Sequence, residues 1–244
     1  MKWRSLEELA PLSHTRSLRD IYADRKALIA KYVPADIQAV HARVVEELTK
    51  SGIAERALKL GSELPEFELP DQNGAIIRST DLMQGGPLVI CFIRGRWCPF
   101  CVGQVEAMNA IVPQLQQRGA SLIAMSAQTV HQNSLMADQH NLRFPLLSDA
   151  GSKVAKLFGL AYRVPEYQQE IYARAFVNLP FVNGDESWQL PIPATYIARI
   201  GKTASMNMQS TVRQGKVIYA FPNPNYTDRP EPAALLELVA QLQA

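Results

Sequence analysis

An excess of charge of either sign is missing from this 244-residue chain. Its 25 Lys and Arg face 23 Asp and Glu, for a net charge of +2. No block is dense in lysine and arginine. A near-neutral balance leaves no electrostatic footprint for nucleic acid, and none is expected as a partner. Long apolar runs are absent too. No stretch approaches the roughly 18 uninterrupted apolar residues of a membrane span, so no membrane contact is expected. The N-terminal "MKWRSLEELA" is charged from its start and lacks the apolar region of a signal peptide. Cysteine is scarce. Three cysteines in a chain of this length do not make a disulfide scaffold. A cytoplasmic, reducing compartment is the default expectation. Internal repeats and low-complexity tracts are also missing. What the chain does have is apolar residues, 47% of the total, too many for disorder and enough for one good core plus an appended element.

The pattern of those residues divides the chain near residue 60. Residues 1–60 read as a helical arm. Leu18, Ile21, Tyr22, Leu28 and Ile29 share one face of a first helix that Pro34 ends. Ile37, Val40, Val44 and Leu48 mark a second, with Gly52 just past its end. Residues 61–244 read as a separate domain. "LGSELPEFELPDQNGAIIRSTDL" carries an Asn-Gly turn between short apolar runs, which predicts a small hairpin. "PLVICFIR" (87–94) is a continuous apolar run, as expected of a strand buried on both faces. A helix follows from about 99 to 118, stopped by Gly119 and kinked by Pro113. Strand and helix patterns then alternate to a closing amphipathic helix at "PEPAALLELVAQLQA", which argues for an α/β sheet with parallel pairs. Segment 161–190 fits no period and reads as an excursion over the sheet, with Trp188, Tyr162, Tyr167, Tyr172, Phe176 and Phe181 as its own core. Segment 201–215 is longer than a tight turn requires.

Two of the three cysteines, Cys98 and Cys101, fall at the strand-to-helix junction in "RGRWCPFC". Thiols at a helix N-terminus meet unpaired N–H groups and the positive end of the dipole, which favours thiolate. Pro99 suits the first turn, where a missing N–H costs nothing. Spacing i, i+3 puts both sulfurs on one face, close enough to bridge. Lowering a thiol pKa by about two units raises its thiolate fraction at pH 7 about 25-fold. The accompanying loss of nucleophilicity is about tenfold, so positioning must supply most of the advantage. Zinc would need two more ligands. The histidines are His14, His41, His131 and His140, none with ligand spacing, so no metal and no cofactor are expected. A structural bridge would close too short a loop to stabilise much. Redox chemistry is the reading that remains. Cys91 lies inside the apolar strand and reads as a core residue; His131 reads as a solvated residue at a helix start.

These segments resemble the peroxiredoxin-like branch of the thioredoxin-fold superfamily, often grouped as the alkyl hydroperoxide reductase/thiol-specific antioxidant family. The resemblance runs from about Gly61 to the C-terminus, through "GSELPEFELPDQNG", "RGRWCPFC", "FPLLSDAGSKVAKLFGL", "PIPATYI" and "FPNPNYTDRPEP". It implies a thioredoxin-like α/β fold: a central mixed β-sheet flanked by helices, here with an N-terminal helical extension. Two registers overlap at the cysteines. The peroxiredoxin pattern, Pro-x-x-x-Thr/Ser-x-x-Cys, puts Arg94 at its proline, Cys98 at its Thr/Ser and Cys101 as the attacking thiol. The thioredoxin pattern, Trp-Cys-x-x-Cys, makes Trp97 a packing residue, Cys98 the attacker and Cys101 the resolver. Peroxiredoxins place a peroxide-binding arginine near the strand that here begins at Pro193, where thioredoxins carry a cis-proline. Arg94 and Arg96 are candidates to supply that charge.

The resemblance therefore implies an antioxidant thiol peroxidase cycling through a redox-active Cys98/Cys101 disulfide. Its partners would be a hydroperoxide and an external thiol reductant of thioredoxin or glutathione type. One alternative is a thioredoxin-like oxidoreductase acting on disulfides. Another is a non-catalytic redox sensor whose partner surface is the arm. A homodimer through the arm is a further expectation. The chain is expected to present Pro193 after a cis bond, and Cys98 as the more exposed thiol with Cys101 recessed.

Overall fold

The computed structural model describes residues 16–200 and 215–242. The features expected of residues 1–15 and of most of segment 201–215 lie outside the described residues. The chain opens with helices α1 (Leu18–Tyr32), α2 (Ala35–Lys50) and the short α3 (Ile53–Arg56). Ser17 caps α1, its hydroxyl accepting from the Asp20 N–H. Pro34 stands at the N-cap of α2, so its missing N–H costs no helical bond. A hairpin follows, β1 (Glu68–Pro70) with β2 (Ile76–Arg78). Asp71 holds its turn by accepting from the N–H groups of Asn73 and Ala75. Then come α4 (Ser79–Gln84), β3 (Leu88–Phe92), α5 (Pro99–Gln117), β4 (Ser121–Ser126), α6 (Val130–His140), β5 (Leu146–Ser148) and α7 (Lys153–Leu157).

The excursion is a ribbon of β6 (Ala161–Arg163) antiparallel to β7 (Gln189–Pro191), with α8 (Glu166–Arg174) and α9 (Leu179–Asn183) between them. Elements this short explain why no period showed in the sequence. Part of the expected excursion core is not core. Phe176 and Phe181 are 92% and 71% exposed, while Tyr172 is buried and turns toward the cysteines. The chain closes with β8 (Ala194–Ile200), β9 (Gly215–Pro222) and α10 (Pro232–Gln241).

The main sheet has the order β5-β4-β3-β8-β9. β3, β4 and β5 run parallel, and β8 and β9 are antiparallel additions. β3 is central and every residue in it is buried, as the unbroken apolar run predicts. Its side chains alternate. Val89 and Cys91 face α1, α5 and α10; Leu88, Ile90 and Phe92 face α3, α7 and the opening hairpin. This is the thioredoxin-like fold with a helical extension. The extension is not free-standing. α1 packs on α5, and α2 on α8. Among the described residues, no helix is long and apolar enough to cross a membrane.

Candidate active site

β3 delivers the chain to its C-terminal edge, and the loop 93–98 turns it into α5. Gly95 makes that turn at φ +144°. A Cβ there would sit 2.6 Å from Gln128 Oε1 and 2.7 Å from Trp97 Nε1. Cys98 is the N-cap of α5, Pro99 its first residue, and Cys101 lies in its first turn. Cys101 Sγ accepts from the Arg94 backbone N–H at 3.3 Å. The Cys98 thiol also hydrogen-bonds to it.

Neither sulfur is open to solvent. Cys98 is 1% exposed and Cys101 0%, so the expected difference in exposure between them is absent. The cover is the N-terminal arm. Tyr22 of α1 donates its hydroxyl to the Phe100 carbonyl at 2.5 Å and stacks edge-on against the Phe100 ring, centroids 5.1 Å apart. An aromatic pair of this kind contributes about 0.5–1.5 kcal/mol beyond its burial. Arg25 donates to the Pro99 carbonyl and pairs with Glu106 at 3.7 Å. The two residues between the cysteines are thus both held by α1.

The electrostatics divide the two thiols. Burial alone would raise Cys101. The hydrogen bond from Cys98, the charges of Arg229 and Arg94, and the Arg94 N–H outweigh it and bring Cys101 down to about 5. Cys98 moves the other way, pushed well above the usual thiol range by burial and by the adjacent Cys101 sulfur. Cys91, ten residues before Cys101, is raised to about 12 by burial. Cys101 is therefore the thiolate of the three.

Of the arginines expected from the sequence, Arg94 and Arg96 part company. Arg94 is 3% exposed. Its guanidinium donates to the Tyr172 hydroxyl and lies 4.9 Å from the Trp97 ring centroid and 4.4 Å from that of Tyr226. Arg96 is exposed, and its guanidinium reaches Gln132 of α6 instead. Trp97 packs edge-on against Tyr172. Pro193 lies near Arg94, lining the same small cavity. Its peptide bond is trans; the described residues contain no cis bond. The β7–β8 corner makes its turn without one, because Ile192 N–H is held by the Leu160 carbonyl and the Pro193 carbonyl by Asn223 N–H.

Sequence reasoning missed the second charge, Arg229. It arrives from the loop after β9, where "FPNPNYTDRPEP" carries it as a lone cation among prolines. Arg229 Nε donates to Gln104 Oε1 at 2.9 Å, Nη1 donates to the Asp228 carbonyl, and Nη2 is buried with no hydrogen-bond partner among the described residues. Gln104 in turn donates to Thr195 Oγ1 at 3.2 Å. The arm's contribution was also missed: Tyr22 and Arg25 of α1, and His41 of α2, whose Nδ1 accepts from Gln168 Nε2 at 3.1 Å. Their only sequence signal was an amphipathic period. Among the described residues, no cluster of three His, Cys, Asp or Glu could hold a metal.

Comparison with known proteins places this geometry in a family. The AhpC/TSA family model matches residues 60–200. Peroxiredoxin Bcp of Escherichia coli K12 is 31% identical over 103 residues, covering 42% of this chain and 65% of that protein. The thiol-disulfide oxidoreductase ResA of Bacillus thuringiensis is 29% identical over 107 residues, covering 43% and 61%. Each alignment thus spans somewhat under two thirds of the relative. Among solved structures, peroxidoxin BcpB from Mycobacterium tuberculosis superposes with a TM-score of 0.55 at 21% identity. That match covers 77% of this chain and 99% of the other, and it shows a common fold.

Proposed function

The chain belongs to the AhpC/TSA family, and from that premise we propose that it reduces hydroperoxides with Cys101 as the attacking thiol and Cys98 as the resolving one. It is an oxidoreductase that works through thiols. The observation that carries the choice of sulfur is the setting of Cys101: an N–H donor at 3.3 Å and two buried guanidiniums, Arg94 and Arg229, acting on it. In the first step the Cys101 thiolate bonds to one peroxide oxygen. The O–O bond breaks, its electron pair leaves with the second oxygen, and that oxygen takes a proton to become water or an alcohol. The sulfur, oxidised by two electrons, is now a sulfenic acid. The Cys98 thiol then condenses with it, forming the S–S bond and releasing water. An external thiol reductant of thioredoxin or glutathione type returns two electrons and two protons by exchange. Arg94 and Arg229 hold negative charge at the sulfur, Pro99 starts the helix, Trp97 and Pro193 shape the pocket, and Arg96 acts outside it.

The same proposal puts the enzyme in a cytoplasmic, reducing compartment. It assigns residues 61–244 to catalysis and residues 1–60 to the cover, with a homodimer through the arm's outer face, where Leu28 and Tyr32 stand exposed. The second reading, exchange with disulfides, has the Cys-Pro-Phe-Cys sequence in its favour. Against it stands the burial of both sulfurs under α1, which a bulky protein disulfide would have to displace. The deciding experiment mixes the reduced protein with hydrogen peroxide or with a protein disulfide. The expected result is a second-order rate constant for peroxide at least tenfold the larger; the reverse order overturns the assignment.

A further inference from the structure

A small cavity lies beneath the arm, and it reaches the cysteines through Arg94, which lines it. Its walls are Val44 and Leu48 of α2, Arg94, Gln168 of α8, Pro193 and Tyr226, and its room is about 10 Å3, that of one water-sized centre. Two buried polar atoms on these wall residues have no hydrogen-bond partner among the described residues: Arg94 Nε and Gln168 Oε1. Gln168 is 1% exposed. Such atoms are costly unless something occupies the space between them. One is a donor and the other an acceptor, so the occupant must accept from an N–H and donate an O–H. The Gln168 amide is held from its other side, its Nε2 lying 3.1 Å from His41 Nδ1. His41 in turn packs between Tyr172 and Tyr226, with centroids 6.1 and 6.2 Å away. Arg94, whose backbone N–H binds Cys101, joins the cavity to the thiols.

We propose that this cavity is an entrance subsite selective for hydrogen peroxide over bulky organic hydroperoxides, with Arg94 and Gln168 as its hydrogen-bonding pair and α2 of the arm as the wall that sets its size. A water-sized molecule with an O–H and a lone pair suits both atoms, and hydrogen peroxide is the smallest hydroperoxide that offers that pair. An aryl or long alkyl group does not fit against Val44 and Leu48. His41 is a positioning residue that fixes the Gln168 amide. The inference rests on the peroxidase reading above, and its test is built to separate the two.

Sulfenic acid formation is measured with hydrogen peroxide and with cumene hydroperoxide in the wild type, Leu48→Ala and Gln168→Leu. In parallel, Cys101 of the same proteins is alkylated with iodoacetamide and with the bulky N-(1-pyrenyl)maleimide, each rate divided by that of free cysteine. Wild type should favour hydrogen peroxide and iodoacetamide by at least about tenfold. Leu48→Ala should shrink both ratios severalfold. Gln168→Leu should slow peroxide about threefold to tenfold more than iodoacetamide, the effect of one hydrogen bond lost. Equal wild-type rates for the two peroxides, or ratios indifferent to Leu48→Ala, overturn the sieve and leave the peroxidase reading standing. Size selection among the alkylators without peroxide turnover overturns the peroxidase reading and supports the sieve.

Discussion

Strand β3 and the first turn of α5 each bury a cysteine, Cys91 and Cys101, at 1% and 0% exposure. They go opposite ways. Cys91 is raised to about 12 and Cys101 is lowered to about 5. Burial is common to both, so burial does not decide reactivity. The difference lies in what fills the space around the sulfur. Cys91 has apolar neighbours, the Thr195 hydroxyl and the charge of Arg229 alone, while Cys101 has the Arg94 N–H, the Cys98 thiol and two guanidiniums. A helix N-terminus presents unpaired N–H groups that a strand interior has already spent on its neighbours.

The sharpest way to break this contrast is to remove each sulfur at the helix. Cys101→Ser should lower peroxide consumption at least about 1,000-fold, because a hydroxyl at its ordinary pKa replaces a thiolate. Cys98→Ser should consume one equivalent and accumulate sulfenic acid, detected by trapping with dimedone and mass spectrometry. A Cys101→Ser protein that turns over peroxide at the wild-type rate removes the contrast altogether.

The next largest effect comes from the charge that the loop after β9 supplies. Arg229→Gln should raise the Cys101 pKa by about one unit, or tenfold in the thiolate equilibrium. The readout is ultraviolet thiolate absorbance against pH, taken together with the peroxide rate. In the wild type the rate should fall as pH drops through about 5, since protonation removes the nucleophile. In Arg229→Gln that fall should begin about one unit higher. A superimposable profile would leave Arg94 and the helix terminus as sufficient.

How much of this was legible in the sequence follows from which contacts are local. The fold was readable where strands and helices carry their own period, and where "PLVICFIR" reads as a strand covered on both faces. The pair Cys98 and Cys101 was readable because both sit in one turn. Arg229 was not, since 128 positions separate it from Cys101 and it sits in an irregular loop. His41 and Gln168 were invisible for the same reason: their hydrogen bond joins α2 to the excursion, which had no period to read. The trans geometry at Pro193 could not be read from "PIPATYI", because a proline's dipeptide does not fix its isomer. The expected exposure of Cys98 failed because the arm was read as an appendage, whereas Tyr22 and Arg25 clamp the loop itself.

The arm's hold should depend on pH, a smaller effect. His41 is lowered to about 4 by burial and by the nearby Arg94 charge, and it faces Gln168, Tyr172 and Tyr226. A histidine whose docked pKa lies below its free value takes up a proton on release. Docking should be strongest above the free value of 6.5, weaken as pH falls from there, and lose this contribution as pH passes about 4. Hydrogen exchange of α2 amides in the Cys101→Ser background, which removes the thiolate's own titration, should speed up severalfold between pH 6.5 and about 5 once each rate is divided by that of an unprotected amide at the same pH. Exchange in His41→Gln should be flat by comparison. Unchanged wild-type exchange across that range would mean the arm is held without His41.

The smallest effect is expected at the strand. Cys91→Ala deletes one buried sulfur, a change on the scale of a methyl group, and should cost about 1 kcal/mol. In a chain of this size that lowers Tm by roughly 2–4 °C. The peroxide rate should stay within about twofold of wild type, and native alkylation should label Cys91 far more slowly than Cys101. One contact gives the prediction its edge. Cys91 hydrogen-bonds Thr195, which accepts from Gln104, which accepts from Arg229. If the rate fell tenfold in Cys91→Ala, the strand would be tuning the helix through this chain. The two buried thiols would then be one electrostatic unit and not two. The geometry argues for two, because Thr195 Oγ1 keeps its bond from Gln104 when the sulfur goes, and Gln104 keeps Arg229 in place.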